Sequence, residues 1–262
     1  MKHNRLILKA LFFAVVSCIL FSCELKVGDE WAHRTVHSYG YYFMKLDRFQ
    51  AYQMAEGCIM VDCYQTLERV CGVDKNIELW EEFNKAHGDT AYNRDEIFHA
   101  GSANGLLGGH TDHTFWAYDI DSILIVSDVD FDEDHPAGTL LNDIIRFVAL
   151  SPMEYIRNGY SNSYDLVLPN DTLGIVDALY STGYQADNHD FSVVEKTLQD
   201  CTPEDFMMIS FARFGGNRRS PMCVLQFLSQ PTLEREHNIK IQIFGTDHKK
   251  QSSHKVWCKL TF

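Results

Sequence analysis

His110, Asp112 and His113 bring two imidazoles and a carboxylate together at the end of a glycine-rich stretch, residues 100–113. Imidazole nitrogen and carboxylate oxygen are the donors a divalent transition metal takes. A solvated polar loop, or a histidine turned inward to a backbone carbonyl, explains the same residues without a metal. Further along, Asp128, Asp130, Asp132, Glu133 and Asp134 crowd carboxylates into one short run. Hard oxygen ligands at alternate positions suit calcium, the one cofactor the sequence leaves open. Strand alternation gives the same pattern, sending alternate carboxylates to water while Val129 and Phe131 turn inward, and this second account is favoured. A third set is Cys58, Cys63 and Cys71, whose spacing is not that of a zinc site but could supply a disulfide.

Motif comparisons weaken the catalytic options. The stretch ending His110-Thr111-Asp112-His113 resembles half of the HxHxDH motif of metallo-hydrolases, in which two histidines and an aspartate bind two zincs. Gly108 stands where the first histidine belongs, so the motif is broken. Hydrolysis would need further ligands, such as His135 or His189. The acidic run departs from the EF-hand, because Glu133 replaces the required glycine and Thr139 the required bidentate glutamate. His33 and His37 share a face only in a helix, which Arg34-Thr35-Val36 and Gly40 discourage. There is no Gly-x-Ser-x-Gly and no Walker loop. Arg213, Arg218 and Arg219 around Gly215-Gly216-Asn217 make a basic turn that could hold an anion, or simply close a hairpin. Trp31, Tyr39, Tyr41, Tyr42, Tyr155, Tyr160, Tyr164, Tyr180 and Tyr184 could stack sugar rings if exposed, although most strand aromatics belong to cores.

The amino terminus carries the most specific signal. Lys2, Arg5 and Lys9 precede an apolar run from Ala10 to Phe21. That run is too short to cross roughly 30 Å of hydrocarbon as a helix and suits a signal-peptide core. It ends in Leu20-Phe21-Ser22-Cys23, which resembles the lipobox of bacterial lipoproteins, with Phe21 bulkier than the usual occupant. The resemblance implies cleavage before Cys23 and attachment of acyl chains such as palmitate to it. The alternative is an ordinary cleaved secretory signal. Each buried methylene contributes about 0.8 kcal/mol, so two or three chains would hold the protein durably. Residues 24–30 then read as a polar tether. The expected location is the cell envelope, lipid-anchored, with the outer membrane the expected membrane and the exposed side undecided.

The chain of 262 residues carries 36 Asp and Glu against 23 Lys and Arg, a net charge of −13. The charged residues of the leader, Lys2, Arg5 and Lys9, are all basic, so its removal would leave the mature part more acidic still. Phosphate backbones require a basic surface, which excludes nucleic acid as the expected partner. Outside the cytoplasm disulfides are permitted, and the cluster Cys58, Cys63, Cys71 is where one is expected. Cys223 and Cys258 lie in strand-like runs and read as buried thiols.

These residues need elements to position them. Residues 76–87 predict a helix, capped near Asn76 and stopped at Gly88, with Leu79, Trp80 and Phe83 on one face. Residues 31–57 lack a clean period, with a short strand expected at Tyr39 to Phe43, and 59–72 are ambiguous between helix and strand. Residues 114–126 predict a strand, 141–150 a helix from Asn142, 163–168 a strand and 194–200 a helical turn. Phe206 to Phe211 and Cys223 to Leu228 predict strands. At 238–244, Ile239, Ile241 and Ile243 share one face, and Val256, Cys258, Leu260 and Phe262 share another, with a turn at Gly245-Thr246-Asp247. Their period of two predicts a terminal hairpin whose apolar faces meet in one core.

The expected fold is mainly β: an antiparallel β-sandwich of immunoglobulin-like proportions with a mixed α/β N-terminal segment. The expected divisions are 1–22 signal peptide, 23–30 tether, 31–111 mixed segment and 112–262 sandwich. The lipobox, the stretch DVDFDEDHPAGTLLNDI at 128–144 and the closing hairpin resemble uncharacterised cell-envelope lipoproteins of Bacteroidetes. That resemblance implies an envelope lipoprotein and carries over no activity. The expected function is a non-enzymatic binding or structural module, with an envelope protein or glycan as partner. The alternative is a lipid-anchored metal-dependent hydrolase using His110, Asp112 and His113.

Overall fold

The computed structural model describes residues 38–71, 76–92, 113–161, 190–209, 219–247 and 249–262. The leader, Cys23, the tether, the His33–His37 pair, His110, Asp112, the strand expected at 163–168 and most of the basic turn lie outside them.

Two sheets pack together. β1 (Gly40–Ala55), β2 (Cys58–Cys71), β3 (His113–Trp116), β5 (Ile145–Ser151), β6 (Ser192–Thr197) and β7 (Arg219–Phe227) form one, in the order β3-β1-β2-β7-β5-β6. β4 (Tyr118–Ser127), β8 (Glu236–Asp247) and β9 (Lys250–Thr261) form the other, in the order β4-β8-β9. The pairings are antiparallel except β1 with β3. The chain passes from one sheet to the other at Ala117, whose N–H donates to Met44 O at 2.9 Å. The fold is thus mainly β and sandwich-like, as the alternation predicts.

The hairpin faces meet as expected. Ile239, Ile241, Ile243, Val256, Cys258, Leu260 and Phe262 join Phe49, Ile59, Val61, Phe147 and Leu225 in the core between the sheets. The six-stranded sheet is buried on its other face too. There Phe43, Met60, Val148, Leu150 and Val224 pack under α1 (Ile77–Ala86) and α2 (Met153–Arg157) through Trp80, Phe83, Met153 and Ile156. No helix among the described residues is long and apolar enough to cross a membrane.

Several local expectations change. β1 and β2 belong to the segment 31–111, yet β2 pairs with β7, so one sheet spans both sides of residue 112. The long β1 was hidden because register shifts between Met44 and Arg48 break its alternation. Residues 141–150 give only a 3-10 turn at Asn142–Ile144 before β5. That strand is buried on both faces, and a doubly buried strand reads as a continuous apolar run, indistinguishable by period from a helix. β6 reaches Thr197, leaving only Leu198–Asp200 as a helical turn. Pro203–Phe206 turns as a 3-10 helix where a strand was expected from Phe206. At the hairpin, pairing continues to Asp247 with Lys250, beyond the expected turn. Gly245 serves packing: a Cβ there would lie 2.2 Å from the Asp119 carbonyl oxygen.

Candidate functional site

The acidic loop is built around its own carboxylates. Phe131 is fully buried, its ring against Phe227, His237 and Phe262 at 5.4–5.5 Å, and so pins the loop to the core. Asp128 accepts from Asn238 N at 2.8 Å and Asn238 Nδ2 at 2.6 Å. Asp130 Oδ1 accepts from Ala137 N at 2.7 Å. Asp132 Oδ1 accepts from the backbone N–H groups of Asp134 and His135, at 3.0 and 2.8 Å.

His135 lies between two acids, with Nδ1 2.7 Å from Asp132 Oδ1 and Nε2 3.1 Å from Asp143 Oδ2. An imidazole facing carboxylates at both nitrogens donates from both, which favours the imidazolium. Burial opposes that charge, but the bonds to Asp143 and Asp132 outweigh it and raise the His135 pKa. Burial likewise works against the Asp132 carboxylate, and the bonds from His135 still pull its pKa below the usual value. The bonds from Asn238 lower Asp128. Asp128, Asp130 and Asp132, the carboxylates whose spacing left calcium open, are each engaged by separate protein donors. No group of three or more His, Cys, Asp or Glu among the described residues is placed to hold a metal.

The other expected sites resolve in part. His113 opens β3, its backbone paired with Gly40, and its side chain lies outside the described set, as do His110 and Asp112. Cys58 and Cys63 are free thiols in the structure. The pleat is the reason: an odd offset along β2 sends Cys58 to the helix-side core and Cys63 to the core between the sheets. Burial raises both thiol pKa values, strongly at Cys63. Cys201, Cys223 and Cys258 are also free. The side chain of Cys71 lies outside the described set.

A polar cluster that sequence reasoning missed closes the start of β1. Asp89 is fully buried and accepts from Tyr39 N and Gly40 N, both at 2.7 Å, and from Tyr160 Oη at 2.8 Å. Burial raises its pKa in spite of those bonds. Tyr39 and Tyr155 meet edge to face at 5.4 Å beside it. Nearby, His87 Nε2 lies 2.9 Å from Asp119 Oδ1, while His87 Nδ1 and Asn84 Oδ1 are buried with no hydrogen-bond partner among the described residues. With three donors on its carboxylate, Asp89 works as a clamp joining β1, the segment after α1 and Tyr160. Between the sheets a cavity of about 10 Å³, lined by Trp116, Tyr118, Met208 and Met222, has room for about one water.

The exposed face of the three-stranded sheet is different in character. Along β9 the even positions from Ser252 to Leu260 are buried or half-buried, and the odd ones from Gln251 to Thr261 face water. One odd position is Trp257, 59% exposed. Lys240 stands directly across from it on β8, and Lys255 and Lys259 flank it on the same face of β9. Gln242, across from Lys255, and Asn238, across from Lys259, add amides. Half-buried Leu124, Val126 and Phe244 lie behind on β4 and β8. Lys259 pairs with Glu236 at 3.1 Å, while Lys240 and Lys255 make no ion pair with a described residue. Of the rings named for sugar stacking, Tyr39 and Tyr42 are core and Tyr155 and Tyr160 are half-buried in the clamp; the most exposed aromatic ring among the described residues is Trp257. Its signal was legible in the alternation, since Val256 and Cys258 turn inward on either side of it.

Comparison of the chain with protein-family models, with curated proteins and with solved structures finds no match in any of the three.

Proposed function

We propose that this protein is a lipid-anchored cell-envelope protein whose sandwich acts as a non-enzymatic binding module. The lipobox ending at Cys23 supports the anchor. The observation that carries the binding role is Trp257, a large ring held in water amid Lys240, Lys255 and Lys259 on a regular sheet face. A rigid strand loses little entropy when it presents an aromatic anchor, and exposed aromatics with polar rims mark binding surfaces.

Two experiments test the two halves. Cells making the full chain should incorporate labelled palmitate into it, and Cys23→Ser should abolish the label; label persisting in the variant contradicts the anchor. A photo-crosslinking residue at position 257 should yield a discrete adduct in intact cells, while the same residue at Tyr52, exposed on the other sheet, should not. Equal adducts at both positions, or none at 257, contradict the binding face.

A further inference from the structure

Resting on that binding face, we propose that its ligand is an acidic glycan: a polysaccharide strand with carboxylated sugars, laid along β9 with one ring on Trp257. Three observations converge on this chemistry.

The first is the indole. The face of an aromatic ring carries the negative lobe of its quadrupole, and the C–H bonds on one side of a sugar ring carry partial positive charge. A ring already held in water by a strand offers such a platform with little rearrangement. The second is charge. In a chain of net charge −13, Lys240, Lys255 and Lys259 gather around Trp257. The carboxylates at the margins are already engaged, Glu236 with Lys259 and Asp128 with Asn238. Lys240 and Lys255 pair with no described acid, so a carboxylated ligand meets ammonium groups whose charge is not yet compensated.

The third is spacing. Alternate residues on a strand are about 7 Å apart. Lys255 and Lys259 therefore stand one such step on either side of Trp257, and Lys240 stands across from it. A polymer stacked at its centre can present acids to Lys255 and Lys240, and Gln242, Asn238 and Ser253 can bond its hydroxyls. A lipid bilayer would use this face poorly. Leu124, Val126 and Phe244 are only half-exposed behind the polar rows, and burial in lipid would strand the amides of Gln242 and Asn238.

The test is affinity electrophoresis of the full chain, extracted in a nonionic detergent, through gels containing polygalacturonate, neutral dextran or no polymer. Polygalacturonate should retard it, at least about tenfold more strongly than dextran. Trp257→Ala should weaken retardation about tenfold or more, the range of an aromatic anchor. Lys255→Gln should weaken it about threefold to tenfold, and raising salt from about 50 to about 500 mM should weaken the wild type further. Lys45→Gln, on the other sheet, should change nothing. No retardation by polygalacturonate, or retardation unchanged in Trp257→Ala, overturns the proposal. Trp257-dependent retardation by dextran alone overturns the acidic ligand while the binding face stands. Trp257-dependent association with phosphatidylglycerol micelles and not with polygalacturonate overturns it in favour of a membrane surface.

Discussion

Trp257 and Lys240 stand directly opposite each other in the β8–β9 ladder, on the face of the three-stranded sheet turned away from the core. Their in-register neighbours Ile239, Ile241, Val256 and Cys258 face the other way, into the core between the sheets. The same alternation that builds the sandwich thus sets an exposed indole across the ladder from a half-buried lysine.

Because Trp257 packs on one side only, its removal should cost little stability. Trp257→Ala should change unfolding free energy by less than about 1 kcal/mol. Phe131→Ala, which empties a fully buried site among Phe227, His237 and Phe262, should cost about 3–5 kcal/mol. Urea unfolding of both variants checks this; a large loss at Trp257 would make that ring structural.

His135 should make stability depend on pH. Its pKa is raised in the folded chain, so its contribution is fully present below about pH 6.5 and is lost as pH rises through the raised value. Asp132 is shifted the opposite way; its contribution is present above about pH 4 and is lost as pH falls through the lowered value. The wild type should therefore exceed His135→Asn in thermal stability most clearly near pH 5–6, with the gap narrowing toward pH 8. A gap independent of pH would mean that the Asp132–His135–Asp143 bridge carries no charge.

Asp89 should be the most sensitive polar position. Asp89→Ala leaves two backbone N–H groups and the Tyr160 hydroxyl without their acceptor, at a cost of about 3–5 kcal/mol. Asp89→Asn keeps one acceptor oxygen and should cost less. Chemical denaturation of both reports the order, and equal, small losses would contradict the clamp.

The thiols of Cys58, Cys63, Cys223 and Cys258 should resist alkylation in the native protein and react on unfolding, because each is buried. Peptide mapping of protein denatured in excess alkylating reagent without reductant should find all four modified. A Cys58–Cys63 bridged peptide would contradict the opposed faces of β2.

Legibility followed exposure. Strands with one wet face, β4, β8 and β9, declared themselves through alternation, and α1 through Trp80 and Phe83 on one side with Gly88 as a stop. β5 has no wet face, so its apolar run passed for a helix. β1 lost its period at the shifts near Met44 and Leu46. Among polar residues, the inward turn of Phe131 beside outward carboxylates was readable, and the partners of Asp128 and Asp89 were not. Asn238 lies more than a hundred residues from Asp128, and Tyr39 some fifty from Asp89, distances no local pattern encodes. Trp257 was readable in principle, as the one large aromatic at an outward position of β9.

The most direct measurement is oxidative footprinting of Trp257 in intact cells, compared with the purified full chain in detergent. Hydroxyl radicals should modify Trp257 readily in the purified protein and several-fold less in cells, where a ligand covers the ring, with buried Trp80 as the protected reference in both. Equal modification of Trp257 in the two settings would contradict an occupied binding face.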